Sequence, residues 1–237
     1  MKIKGQMQLP GTDIRGDFRP SSRLAAGVAR TGVDPSSFAG VRADPDKIAH
    51  LGASVRDQMS GKQGGDPFSD SELQDSYAAL RADVNSQFDL LTRPVAEGGM
   101  GVNVEFTADD PYDTPWAIRD DIDNNSRMKV MDTNAHPDQA HSIFTGDENN
   151  RFRAVHDAFG HVATGRNFSR HGEEAAYQLH SAMVSPEARP ALRSETQLQN
   201  AYLNYTGGTF PDNRPYVTPA APNQRRLSAP GTQFELF

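Results

Sequence analysis

The sequence predicts an α+β fold: a mostly helical central domain over about residues 70–206 with a small antiparallel sheet, flanked by long irregular arms at 1–69 and 207–237. Three observations predict it. Apolar residues recur at helical steps of three and four in several stretches between Leu73 and Tyr205. Two short runs, Val102–Phe106 and Met128–Met131, read as strands. Toward both ends proline becomes frequent and large apolar side chains thin out, which leaves little from which to build a core.

In chain order, residues 1–69 are punctuated by Pro10, Pro20, Pro35, Pro45 and Pro67, with Gly61, Gly64 and Gly65 near the end. This reads as an extended arm with one short helix around Lys47–Met59, which wraps its own domain, binds a partner or stays mobile. Ser69 and Glu72 form a capping-box pattern, and Leu73, Tyr77, Leu80, Val84, Phe88 and Leu91 then make one apolar stripe. A helix over 70–92 follows, ended by Pro94 and Gly98–Gly99. Val102, Val104 and Phe106 alternate with small or polar residues, as in a strand with one buried face. The turn sequence DDPYDTPW and the polar run Arg119–Arg127 lead to the second strand, and the two are expected to pair as a small antiparallel sheet.

Phe152, Val155, Phe159 and Val162 define the next amphipathic helix. Beyond the GRNFSRHGEE loop, a helix over 173–183 turns Ala176, Leu179 and Met183 inward, and Ser185–Pro186 restarts the chain. A last helix, 194–205, carries Leu198, Tyr202 and Tyr205, before a proline-rich tail that ends in FELF.

A formal charge of -7 argues against a general affinity for nucleic acid or anionic membrane, because both require clustered cations. No run of apolar residues approaches the length of a membrane span, so a soluble, cytoplasmic product is expected. There is no cysteine, so any metal must be held by nitrogen and oxygen.

The chemistry concentrates in RFRAVHDAFGHVATG, where His156, Asp157 and His161 fall close together. Five residues separate the histidines, which an ideal α-helix turns about 140° apart. Convergence on one ion therefore requires a distortion, which Gly160 is expected to supply. The spacing differs from HExxH, in which four residues put both imidazoles on one face. Carboxylates that could join them are Glu195, one turn before Gln199, and Glu173 or Glu174; Glu173 shares a helical face with His180. His136, His141, His171 and His180 are expected to be ordinary histidines that make one hydrogen bond each. Asp157 is expected to pair with Arg153 or Arg151.

HDAFGHV resembles the iron-binding segment of the pterin-dependent aromatic amino acid hydroxylases, particularly the bacterial ones. The resemblance implies that His156 and His161 are imidazole ligands and that Glu195 completes a facial triad for Fe2+, with Zn2+ as the alternative. On a larger scale, the order DDPY, NNRFRAVHDAFGH, GEEAA and ETQLQN over residues 77–205 resembles an uncharacterised family encoded by tailed bacteriophages. That resemblance implies a product of the host cytoplasm, or one assembled into the virion. An HD-type phosphohydrolase also begins with a His-Asp pair but needs an aspartate on a later helix, and none lies between Asp157 and Asp212.

Two functions follow. One is a metal-dependent enzyme, either a non-haem iron hydroxylase or a hydrolase. The other is a virion structural protein whose arms make inter-subunit or homo-oligomer contacts, with the histidine cluster structural or vestigial.

Overall fold

A computed structural model describes residues 17–59, 70–136, 141 and 143–206. Its elements are α1 (Ser22–Ala29), α2 (Pro45–Met59), α3 (Asp70–Thr92), β1 (Asn103–Thr107), α4 (Pro115–Asn125), β2 (Arg127–Met131), α5 (Gly146–Val155), α6 (Arg170–Met183), α7 (Arg189–Arg193) and α8 (Gln199–Tyr205). Helix α3 runs over the span that its apolar stripe predicts, and Leu73, Tyr77, Leu80 and Leu91 on that stripe are fully buried. Ser69 of the capping pattern lies outside the described residues. Burial of each such side chain contributes about 1.5–3 kcal/mol, so this one helix anchors the core.

The sheet is parallel, which corrects the antiparallel pairing expected from the sequence. Asn103 pairs with Arg127 and the register continues to Thr107 with Met131. The reason lies between the strands, in the stretch read as a turn sequence and a polar run. Thr114 caps a helix there through its side chain, Pro115 opens it, and Ile118 and Ile122 lie one turn apart against the core. Ser126, at φ 52°, closes it in the left-handed region. A chain that crosses back over a sheet through a helix re-enters at the same end, and a parallel pair results. The single buried face expected for β1 fades along the strand: Val102, just before it, is buried, Val104 partly so, and Phe106 is 42% exposed.

One polar knot holds this crossover. The Asp121 carboxylate accepts from the Tyr112 hydroxyl at 2.7 Å, from Asn125 at 2.7 Å and from the Arg127 guanidinium at 3.1 Å. The Tyr112 hydroxyl in turn accepts from the Lys129 amide of β2.

Within the stretch read as an arm, residues 17–59 build α1 and α2 against the domain, while 1–16 and 60–69 lie outside the described residues. Leu24 and Val28 of α1 are fully buried in the main core. Arg23 reaches the Met100 and Gly101 carbonyls and the Ser126 hydroxyl, and so ties α1 to the end of the sheet where both strands begin. Helix α2 lies along α8, with Ile48, Leu51 and Val55 meeting Leu198, Ala201 and Tyr202. The C-terminal stretch from 207 lies outside the described residues. No described helix is long and apolar enough to cross a membrane.

Burial alone would raise the Asp121 carboxyl, but the bonds from Arg127, Tyr112 and Asn125 outweigh it and hold the group below its ordinary value. A depressed carboxyl stabilises the fold above its unfolded pKa and loses that contribution as pH falls through the folded one. Asp121→Asn should therefore cost about 1–2 kcal/mol at pH 7. In urea unfolding, the gap between variant and wild type should close as the pH is taken down through the carboxylate range.

Candidate metal centre

Helix α5 opens on a capping box, with Thr145 and Glu148 each bonding the other's backbone. After Val155 the helix does not stop. It widens into a π-helical segment, His156–Val162, whose exit is marked by i→i+5 bonds from Ala163 N to Ala158 O (2.9 Å) and from Arg166 N to His161 O (3.1 Å). In π geometry, residues five apart sit one above the other. This removes the angular separation an α-helix would impose: the His156 and His161 rings lie 5.1 Å apart at 85° to one another.

Gly160 lies within this widened segment, where the sequence placed the distortion, and it also has a packing role. A Cβ at this position would stand 2.8 Å from the Ala176 Cβ. Its absence lets α6 lie directly on the π segment. The Ser169 side chain caps α6, and Gly172 in its first turn rests against the Asn167 carbonyl, where no Cβ would fit. That seating carries Glu173 over the two imidazoles.

Glu173 Oε2 lies 3.4 Å from His156 Nε2, and Oε1 lies 3.5 Å from His161 Nε2. Among the described residues, these three form the group whose ligand atoms all fall within 4.8 Å of one another. An ion about 2.0–2.2 Å from each donor sets neighbouring donors about 3.0–3.6 Å apart in octahedral or tetrahedral geometry, so both spacings fit. His161 is fully buried, and its Nδ1 faces the Arg166 carbonyl at 3.2 Å. A carbonyl only accepts, so in the neutral ring that nitrogen carries the proton and Nε2 keeps its lone pair. His161 Nε2 has no hydrogen-bond partner. The Glu173 side chain is 17% exposed and that of His156 11%, so the centre opens to solvent on their side, while Phe168 closes the His161 side edge-on at 4.6 Å.

Burial works against charge on Glu173, but the His161 charge and the contacts from both imidazoles overcome it and bring the carboxyl down to about 2. Burial likewise works against a charged His161, and the Glu173 carboxylate overcomes it and pushes the imidazole up. At the rim, burial pushes the Asp157 carboxyl up despite the opposing influence of His156, His161 and Arg153. Arg153 is thus the basic residue within electrostatic reach of Asp157, since Arg151 bonds Asn85 at 2.7 Å and stacks on Phe88.

Glu195 is placed in a separate network. It sits on a second π-helical segment, Ser194–Leu198, between α7 and α8. Its carboxylate accepts from the Tyr77 hydroxyl and from Gln199 at 2.9 Å. His141 Nε2 approaches it to 3.0 Å, a close polar contact rather than a well-aligned hydrogen bond. His141 Nδ1 accepts the Ile143 and Phe144 amides, so Nε2 bears that ring's proton and points it at Glu195. Glu174 accepts from Gln178 and Gln197, which leaves Glu173 as the carboxylate of the pair that faces the histidines. His136 contacts the Ala108 carbonyl, His171 accepts the Ala43 amide, and His180 contacts Gln87. Tyr77 and Gln87 hold polar partners of these histidines and carboxylates, yet in sequence they lie on a helix legible only by its apolar stripe.

No protein-family model, curated protein or solved structure matches the chain.

Gly→Ala inside a helix ordinarily gains about 1 kcal/mol from propensity. At position 160 the clash with Ala176 should reverse the sign, for a net loss of about 1–3 kcal/mol and a displaced Glu173. Thermal melting and Co2+ titration of Gly160→Ala should both show the defect, and adding Ala176→Gly should recover most of each.

Proposed function

We propose that this chain is a mononuclear metal-dependent enzyme in which His156, His161 and Glu173 hold a divalent cation, Fe2+ first and Zn2+ second. One observation carries the reading: a buried His161 Nε2 with its lone pair exposed and no hydrogen-bond partner, directed at a carboxylate that also faces a second imidazole. Two neutral imidazoles and one carboxylate leave a divalent ion with net positive charge and open positions. Such an ion can bind dioxygen or polarise water or a carbonyl. The likeness of HDAFGHV to the hydroxylase iron segment supports iron and oxygen chemistry, with Glu173 in place of Glu195 as the carboxylate. Hydrolysis is the second reading, since the same donor set suits Zn2+. An origin in a tailed bacteriophage rests on the motif order alone.

The protein's own groups have definable tasks. Arg166 holds the His161 ring through its carbonyl, and Phe168 walls off that ring. Glu173 and His156 form the open edge where a substrate would enter, with Asp157 beside it.

The test is metal loading of the purified full-length protein under anaerobic conditions, with Fe2+ and separately with Zn2+. About one equivalent should bind. Loss of a partner outside the ligand set typically costs about 10–100-fold in affinity, so Glu173→Gln, which removes a ligand, should cost at least that. Glu195→Gln should retain the metal and lower the melting temperature instead. A wild type that binds neither ion above trace levels, or a Glu195→Gln that loses the metal while Glu173→Gln keeps it, would sink this assignment.

A further inference from the structure

Close to the three candidate ligand atoms, two buried imidazole nitrogens lack a hydrogen-bond partner: Nδ1 of His156 and Nδ1 of His180. The two rings are neighbours, 5.8 Å apart and tilted by 34°. Both stack on Phe152, at 6.0 and 5.9 Å, so the three rings form one triangle.

The proton positions follow from what each group can do. The Met183 carbonyl only accepts, so the Gln87 amide nitrogen donates to it, at 3.1 Å. That orientation turns the Gln87 carbonyl oxygen toward His180 Nε2, 2.8 Å away. A carbonyl oxygen again only accepts, so His180 Nε2 bears the proton and Nδ1 is left as a buried acceptor. His156 has the opposite requirement. With its Nε2 lone pair committed to a cation beside Glu173, the ring proton resides on Nδ1, a buried donor. In this structure the two nitrogens do not bond each other; with the cation bound, a donor without an acceptor would stand beside an acceptor without a donor, a small turn of the rings away.

We propose that His180 accepts the Nδ1–H of His156, so that the Met183 carbonyl, Gln87 and His180 form a positioning chain that fixes His156 as an Nε2 ligand. The chain rests on the metal-centre reading above. It gives α3, which contributes no ligand, a part in the site through Gln87. It also gives α6 two functions: Glu173 at its start is a ligand, and His180 two turns later sets the tautomer of another ligand. Buried polar groups are almost always satisfied, and a metal-bound imidazole usually donates its second N–H to a fixed partner. His180 is the group in this core with the acceptor to meet that need.

The experiment uses 15N-labelled full-length protein loaded with Zn2+, which is diamagnetic, and long-range proton–nitrogen spectra of the imidazoles. His180 should be protonated on Nε2 and bare on Nδ1, and His156 should be protonated on Nδ1. His180→Phe keeps an aromatic ring in the stack and should weaken Zn2+ binding by about 10–100-fold while the metal-free protein still melts cooperatively. Gln87→Leu touches no ligand; it should let His180 populate both tautomers and weaken binding by a smaller factor. A proton on His180 Nδ1 in the loaded wild type overturns the chain. So does wild-type affinity in His180→Phe alongside lost binding in His161→Ala, a result that leaves the metal centre standing. A wild type that takes up no Zn2+ or Fe2+ removes both the centre and the chain. Should His180→Phe fail to fold, the wild-type tautomers alone decide.

Discussion

The structure depends on a backbone choice: between His156 and Val162 the chain bonds i→i+5 instead of i→i+4. Two imidazoles five residues apart diverge on an α-helix and converge on a π turn. A wider turn sacrifices regular packing inside the helix, so neighbouring elements have to favour it. Here α6 lies against Gly160 through Ala176, and the N-terminal segment ties down the exit, with Ser21 N bonding Val162 O and Phe18 N bonding Gly165 O. The Arg166 guanidinium adds bonds to Asp17 and to the Ala39 and Val41 carbonyls. Residues 17–42 thus clasp the end of the helix that carries the histidines.

The second π segment sharpens the contrast between two buried glutamates. Glu195 accepts from Tyr77 and Gln199 and has the Nε2 edge of His141 3.0 Å away. Those donors occupy its oxygens, which suits a structural group joining α3 to the last helices. Glu173 faces two imidazole nitrogens across gaps of 3.4 and 3.5 Å and borders solvent. The first arrangement is saturated, and the second leaves room for an ion. Burial and hydrogen bonding, more than residue type, separate their roles.

The small parallel sheet belongs to the scaffold rather than the centre. It holds α4 across the end of the π segment, while the Asp121 knot fixes where the crossover lands. The Asn150 side chain accepts the Thr133 amide just beyond β2 and donates to Asp132, which connects the sheet to the start of the helix that leads into the two histidines.

The sequence by itself determined the helices whose apolar stripes are strong, α3 above all, and the two histidines that could bind an ion. Those features are local: periodicity and spacing are properties of a few consecutive residues. It was less informative about α4, because only Ile118 and Ile122 mark the inward face of a run dominated by charge, and with α4 unread the strands had no helix to bring the chain back in parallel. It also left three carboxylates open as partners for the histidines. Tertiary structure decided among Glu173, Glu174 and Glu195, because that choice turns on which helix packs against the π segment and which side chains the others find first. The π turn was decided in the same way. Its hydrogen-bond register is set by the close contact of Gly160 with Ala176 and by the clasp at Arg166, contacts between residues far apart in the chain, so spacing alone could state the need for a distortion but not its form.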